Sequence, residues 1–523
     1  MTLGVPGSTW NSCHCLPDAF RGCLDVWPGD TGCTSSEGAL AVPASRHTKV
    51  ILTIICLSYF MVILDNSIIF TGLPKIEAAM NFTPTGLTWV QDAYTLVFGG
   101  LLLLGARSGD IVGRRRMFVI GLVLFALASL LVGLAPYTWW LIAARAFQGI
   151  GAAILAPSSL SLLTASFAEG RERAKAVAAY SAVAGIGASA GLVVGGVLAD
   201  LISWRAGFFL NVPIGVAMVF AARRFIGETE RRQGRFDLVG ALCATLGMTA
   251  LVFGIVDAAE AGWAAPSTLI AIGLGVVLLA ALVANEARAE QPIMPLRLFA
   301  DRRRTGAYLV RMLYLGAMIG FFFFTSQYLQ GVLGFSPLQA GLAFLPMSAV
   351  NFAVAVLINR VIGRFGAVPA LIAGVAATLA GMAWLSQVAA GSDYLVAVAL
   401  PMVLIGAGQG LAFAPMTSAG LAGAGPADAG AASGLVNTFH QLGSALGLAV
   451  LAAVGSAAVP AGTVGTGALV DRVGAALTGG SVLLAIALAL VIGLIAVRPR
   501  RPHAVEQRPE RRPPREYTSA SAA

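Results

Sequence analysis

Charge is scarce in this chain. Asp, Glu, Lys and Arg make up 11% of its residues, against about 25% in a soluble domain, which excludes a water-facing surface over most of its length. Histidine is scarcer still, limited to His14, His47, His440 and His503. No His-Glu-x-x-His or similar cluster occurs, which argues against a membrane-embedded enzyme and against a resident metal. A Gly-x-x-x-x-Gly-Lys-Ser/Thr loop is missing too, so ATP-driven transport by this chain is not expected. Cys13, Cys15, Cys23 and Cys33 fall in a polar leader, and their spacing fits no standard zinc site. That leader also lacks the n-region and h-region of a signal peptide. It reads as a disordered extension, or as residues ahead of the natural start. No cofactor is expected.

Apolar residues and glycine take the place of charge: 57% of the chain is hydrophobic and 62 residues are Gly. Runs of roughly 20 apolar residues indicate membrane-spanning helices rather than barrel strands. Fourteen such spans are expected, near 50–73, 87–107, 117–136, 139–163, 176–200, 205–225, 236–257, 266–286, 306–329, 337–359, 367–388, 393–421, 430–457 and 477–497. Lys and Arg crowd the even-to-odd loops, including Arg114 to Arg116, Arg231, Arg232 and Arg235, and Arg302 to Arg304, whereas the opposite loops hold only Lys75, Arg205 and Arg472. Basic loops stay in the cytoplasm, so both termini are expected there, in a multi-pass plasma-membrane protein. The net charge of +9 is explained by this orientation and does not imply nucleic-acid binding.

Three motifs recur at nearly one spacing. Gly113 echoes Gly366, Ala156-Pro157 echoes Ala414-Pro415, and Gly187-x-x-x-Gly191-Leu echoes Gly443-x-x-x-Gly447-Leu. Two related halves of six spans follow, with spans 7 and 8 inserted between them; repeated halves around a central site are the usual transporter build. The expected organisation is a disordered extension (1–48), a six-helix bundle (49–226), two inserted helices (227–290), a second six-helix bundle (291–497) and a disordered basic tail (498–523).

Within span 4, Arg145-Ala-Phe-Gln148-Gly149-Ile-Gly151 places a costly charge, roughly 2.5–3.5 kcal/mol at a helix centre, beside a smooth glycine face. At 1.5 Å rise per residue, Asp65, Asp92 and Arg145 all come out about 8–9 Å below the outer face. A common depth suits a buried ion pair or triad. A carboxylate beside an arginine stays ionised and takes up a proton when the arginine withdraws, so this group is a candidate proton relay; a fixed structural pair is the alternative. Tyr94, Gln148, Gln327, Gln330 and Gln409 are candidate cavity-lining groups, as are Asn437, His440 and Gln441, which could instead serve as polar glue between helices. Arg311, one turn into span 9, is expected to snorkel to the membrane surface. The run Phe321 to Phe324 is expected to serve packing and lipid contact.

Several stretches resemble the major facilitator superfamily. Asp110, Gly113, Arg114 and Arg115 match its loop between spans 2 and 3, with Ala106, Ser108 and Ile111 departing from the pattern. Arg145, Gln148, Gly149 and Gly151 match its Arg-x-x-Gln-Gly-x-Gly-Ala motif, and Gly187, Gly191, Gly195 and Gly196 match the glycines of its fifth-span antiporter motif, with Leu192 in place of the family proline. Leu64-Asp65-x-Ser67 through Leu73-Pro74 is similar to the span-1 motif of the fourteen-spanner drug:proton antiporters of EmrB/QacA type. The resemblance covers about residues 48–497. It implies an all-α membrane fold of two six-helix bundles plus two inserted helices, and a monomer in the bilayer exporting amphipathic or cationic small molecules in exchange for protons. It gives the loop at Asp110, Gly113, Arg114 and Arg115 a part in conformational switching. A dedicated exporter of an endogenous metabolite, such as an antibiotic or siderophore, is the alternative; a membrane enzyme is a remote one.

Overall fold

A computed structural model of the protein describes residues 46–496, apart from 168–169, 229–235, 290, 426–427 and 461. The leader cysteines, the tail 498–523 and Arg231, Arg232 and Arg235 lie outside the described residues. Fourteen helices are long and apolar enough to cross a bilayer: α1 (Thr48–Met80), α2 (Gly86–Val112), α3 (Arg114–Gly133), α4 (Thr138–Ser166), α5 (Arg171–Leu201), α6 (Trp204–Phe225), α7 (Leu238–Ala261), α8 (Pro266–Glu286), α9 (Arg302–Gly331), α10 (Pro337–Phe365), α11 (Ala367–Leu385), α12 (Leu395–Leu421), α13 (Ala429–Ala457) and α14 (Thr466–Ala496). No strand occurs among the described residues. Odd-numbered helices begin, and even-numbered helices end, on the side that carries Arg114–Arg116 and Arg302–Arg304; this side is called the basic end here, and the other the distal end.

Helix pairings repeat from one half to the other. In the first bundle α4 packs on α2 and α3, α1 on α5, and α3 on α6; in the second, α12 packs on α10 and α11, α9 on α13, and α11 on α14. The sequence echoes account for this. A Cβ on Gly191 would lie 2.6 Å from Ser67 Cβ, and one on Gly195 would lie 2.7 Å from Ile68 Cα, so only glycine lets α5 lie this close to α1. Gly443 and Gly447 do the same for α13 on α9, where their Cβ atoms would meet Met312 O at 2.3 Å and Gly316 Cα at 2.2 Å. Gly113 and Gly366 adopt φ of 115° and 91°, conformations that side chains rarely tolerate, and each joins an even helix tightly to the next. The inserted α7 lies along both α2 and α13, flanking the seam between the bundles, and α8 packs on α7.

Helix α1 is longer than its apolar run suggests, continuing through Pro74 to Met80. Proline cannot bond to the carbonyl four residues back, which leaves Phe70 O free. Ser326 Oγ of α9 donates to that oxygen at 2.6 Å, and Gln330 Nε2 donates to Thr71 O at 3.2 Å. The break in α1 is thus satisfied by the second bundle, near the distal end. There too Gly196 admits the Pro337 carbonyl, and Ser336 Oγ donates to Asp200 at 2.7 Å. Helices α5 and α10 meet chiefly at these distal ends, while the basic-end portions of both are largely exposed. The bundles thus meet distally along α5 and α10, while on the other side of the molecule α2 packs on α13, with Leu103 against Gly434 toward the basic end.

The aromatic run in α9 does not face lipid. Phe321, Phe323 and Phe324 are buried, and Phe322 packs on Phe70 and Phe344. The expectation of lipid contact fails because α9 is enclosed by α13, α14, α12 and α1 on all sides.

Candidate functional site

The costly arginine of span 4 is fully buried, and four other helices supply its surroundings or those of its partner. Arg145 NH1 donates to Asp65 Oδ2 of α1 at 2.9 Å and to Gln148 Oε1 at 2.6 Å, while Nε donates to the Val90 carbonyl of α2 at 2.9 Å. The guanidinium lies over the Tyr94 ring, 4.4 Å from its centroid. Asp65 Oδ1 accepts from Gln148 Nε2 at 2.9 Å and from Asn211 Nδ2 of α6 at 2.6 Å. Ser129 of α3 accepts from Gln148 at 2.8 Å, and its hydroxyl donates to Phe125 O at 2.8 Å.

Local sequence explains the assembly. Arg145 and Gln148 stand three residues apart on one helix face, so one turn of α4 presents a cation and an amide to the same carboxylate. Gly149 and Gly151 bring α2 and α3 into place: a Cβ on Gly149 would lie 2.6 Å from Tyr94 O, and one on Gly151 would lie 2.7 Å from Phe125 N. The network is buried away from water, so each charge-assisted bond is stronger than on a surface. One donor of Arg145, NH2, is buried without an acceptor.

The depth argument brings Asp65 to Arg145 but does not bring Asp92. Val90 and Tyr94 lie one turn apart on the face of α2 that meets Arg145. Asp92 is two residues from each, about 200° round the helix. It is fully buried, and neither of its carboxyl oxygens receives a hydrogen bond; the nearby Thr88 hydroxyl donates to Thr85 O instead. The expected triad is a pair with an isolated third carboxyl. Ser129 and Asn211 complete the network; a lone serine inside an apolar span gives no sequence signal.

The remaining candidates scatter. Gln327 bonds to its own helix at Phe323 O, and Gln330 serves the distal seam. Asn437 is exposed and bonds to Ser433 O. Gln441 sits on the seam, its Cβ 2.7 Å from where a Cβ on Gly99 would be, and Gln409 is half-buried on α12. His440 meets Arg311. Arg311 does not snorkel: it is buried, because α9 extends to Arg302 and carries the side chain deeper than one turn. At the basic end Arg114 NH2 bonds Asp110 at 3.1 Å, and Arg115 donates to Ile226 O and Glu228, tying the α2–α3 turn to the end of α6. Among the described residues no cluster of His, Cys, Asp and Glu could hold a metal.

Comparisons with known proteins agree with this architecture. Residues 55–448 match the Major Facilitator Superfamily. The chain is 41% identical over 425 residues to a cephamycin export protein of Amycolatopsis lactamdurans, covering 80% of this chain and 87% of that one. It is 37% identical to a puromycin resistance protein of Streptomyces alboniger, covering 78% of this chain and 82% of that one. Among solved structures, a bacterial homologue of the human lysosomal transporter Spinster, inward-facing and unoccupied, superposes with a TM-score of 0.62 over 86% of this chain and 96% of that one, at 16% identity. The chain belongs to the Major Facilitator Superfamily.

Proposed function

We propose that this protein is a proton-coupled secondary transporter that exports drugs or other amphipathic small molecules across the plasma membrane, as a monomer with its basic end in the cytoplasm. The observation that carries the coupling is the buried Arg145–Asp65 pair, 2.9 Å apart and wholly shielded from water. Asp65 can exist charged or neutral; Arg145 always carries its charge. Protonating Asp65 breaks a charge-assisted contact that joins α1 to α4, and frees Asn211 and Gln148 to re-pair. Because α1 also meets α9 at the distal seam through Phe70 and Thr71, a change in how α1 sits on α4 reaches that closure. Rocking of the bundles about the seam would then open the cavity alternately to each side. Asp92, buried and unpaired, is a second site where a proton could reside.

A dedicated exporter of one endogenous antibiotic or siderophore is the second reading, favoured by the likeness to a cephamycin export protein. Both readings are tested in proteoliposomes holding the purified chain, by following ethidium and a panel of antibiotics under an imposed pH gradient. Uptake that collapses with the gradient, and that is lost in Asp65→Asn, is expected. Transport that persists without a gradient overturns the coupling, and broad against narrow uptake across the panel separates the two readings.

A further inference from the structure

The second bundle holds a buried cation of a different kind. Arg311 of α9 is 4% exposed. Its NH1 donates to Thr417 Oγ1 of α12 at 2.8 Å, its NH2 lies 3.1 Å from His440 Nδ1 of α13, and its guanidinium sits 4.3 Å from the centroid of the Phe413 ring. Nε is buried and has no acceptor. A guanidinium only donates, so Nδ1 of His440 accepts and the ring is the neutral tautomer with its proton on Nε2. Every contact of this cation is therefore with a neutral group: a hydroxyl, an imidazole and a phenyl ring. Among the described residues no carboxylate pairs with it. Arg145 is buried with its counter-ion supplied by the chain; Arg311 is buried without one, an arrangement that costs free energy until an anion arrives.

Its position suits a visitor. Arg311 lies about 14 Å along α9 from Arg302, toward the basic end, where α5 and α10 no longer meet. Gln441, the neighbour of His440, packs against Gly99 of α2, so this stretch of α13 borders the first bundle, where Tyr59 of α1 stacks on Tyr180 of α5 with ring centroids 4.1 Å apart. Phe413 covers the guanidinium on one side and is itself 37% exposed. Thr417 and His440 satisfy two N–H groups but no charge. A carboxylate can replace both with a forked pair of charge-assisted bonds, and the aromatic rings can hold the apolar part of the same molecule. A single guanidinium balances a single negative charge, which favours a monoanion over a phosphate dianion.

We propose that Arg311, with His440 and Thr417, binds the anionic end of the transported molecule, and that the substrates include amphipathic monocarboxylates. This rests on the export reading above and narrows its substrate class. Asp65, engaged on both oxygens, is not free to serve as the matching site for a cationic substrate.

The test uses dansyl-phenylalanine and its uncharged methyl ester, with binding to the purified full chain in detergent followed by fluorescence anisotropy. Wild-type protein is expected to bind the carboxylate at least about ten-fold more tightly than the ester, the increment of one charge-assisted contact. Arg311→Gln is expected to lose that preference while binding the ester as before, and Arg311→Lys to retain part of it. Equal affinity of wild type for acid and ester overturns the proposal, and needs no variant to fold. A preference for the acid that survives unchanged in a monodisperse Arg311→Gln overturns it as well. Proteoliposome transport of the two probes separates this from the export reading: a chain that prefers the acid but moves neither probe under a pH gradient contradicts export and leaves the anion site standing.

Discussion

Asn211 donates to Asp65 Oδ1 at 2.6 Å across 146 positions of chain, and this bond joins α6 to the ion pair of α1 and α4. Asn211 is fully buried. Its Nδ2 also lies 3.3 Å from Ser129 Oγ, so one amide holds both the carboxylate and the serine that braces Gln148. Asn211→Ala removes a hydrogen bond to a charged, buried acceptor, and the expected loss is about 1.5–3 kcal/mol. Thermal unfolding of the purified variant measures it. A variant as stable as wild type, with gradient-driven transport intact, would show that the bond is dispensable.

The two partners of the ion pair are not equivalent when one is removed. Breaking a buried pair costs about 3–5 kcal/mol when the remaining charge is left alone. In Arg145→Gln the remaining group is Asp65, which can take up a proton and become neutral. In Asp65→Asn the remaining group is a guanidinium, which cannot give one up, held by Gln148 and the Val90 carbonyl. Asp65→Asn is therefore expected to melt lower than Arg145→Gln at neutral pH, although it is the nearer isostere. The reverse order in differential scanning fluorimetry would mean that Arg145 is compensated by something other than Asp65.

The same pair shows what the sequence could reveal. An arginine and an aspartate inside apolar runs are conspicuous, and helical rise alone places them at one depth. Depth carries no azimuth, so it does not separate Asp92 from Asp65, although Val90 and Tyr94 occupy the face of α2 that meets Arg145. Glycine spacing gave the repeat and the close helix pairs, because a missing Cβ is visible in the sequence itself. The partners of Pro74 were not legible. A proline shows that a carbonyl has been freed, but not that Ser326, in the other bundle, answers it. The depth of Arg311 is hidden for a related reason: it depends on where α9 begins, and the polar Arg302-Arg303-Arg304 start adds just over a turn of helix ahead of the apolar run.

The proline-freed carbonyl yields a conformational test. The bond from Ser326 Oγ to Phe70 O crosses the distal seam, so Ser326→Ala leaves that carbonyl unsatisfied in the closed state at a cost of about 1–3 kcal/mol. The open state, in which water can reach the seam, loses nothing. The variant is expected to shift the population toward distal opening. Asp200→Cys with Ser336→Cys reports the shift, since their side chains meet across the same seam. Oxidant should cross-link the pair readily in the otherwise wild-type chain and arrest transport, with reductant restoring it. Adding Ser326→Ala should slow the cross-linking. Cross-linking that leaves transport running would exclude alternate opening at this seam.

At the basic end, Arg297 holds Asp428, which immediately precedes α13, through bonds of 3.1 and 2.6 Å to its two carboxyl oxygens. The Arg297 hydrogen bond holds the Asp428 carboxyl below its ordinary value of 3.8. The same bond raises the guanidinium. A carboxyl depressed in the folded state contributes stability that is fully present above its ordinary value and is lost as pH falls through the depressed one. Both groups reach solvent, so the contribution is small and salt-sensitive. Asp428→Asn is expected to lower the melting temperature slightly at neutral pH and low salt. The deficit should shrink as salt approaches about 0.5 M, and it should vanish in acid below the depressed value, where wild-type Asp428 is itself protonated. Melting curves of the two proteins across pH and salt provide the check. A deficit that persists in both acid and salt would assign Asp428 a role in capping α13 rather than in pairing with Arg297.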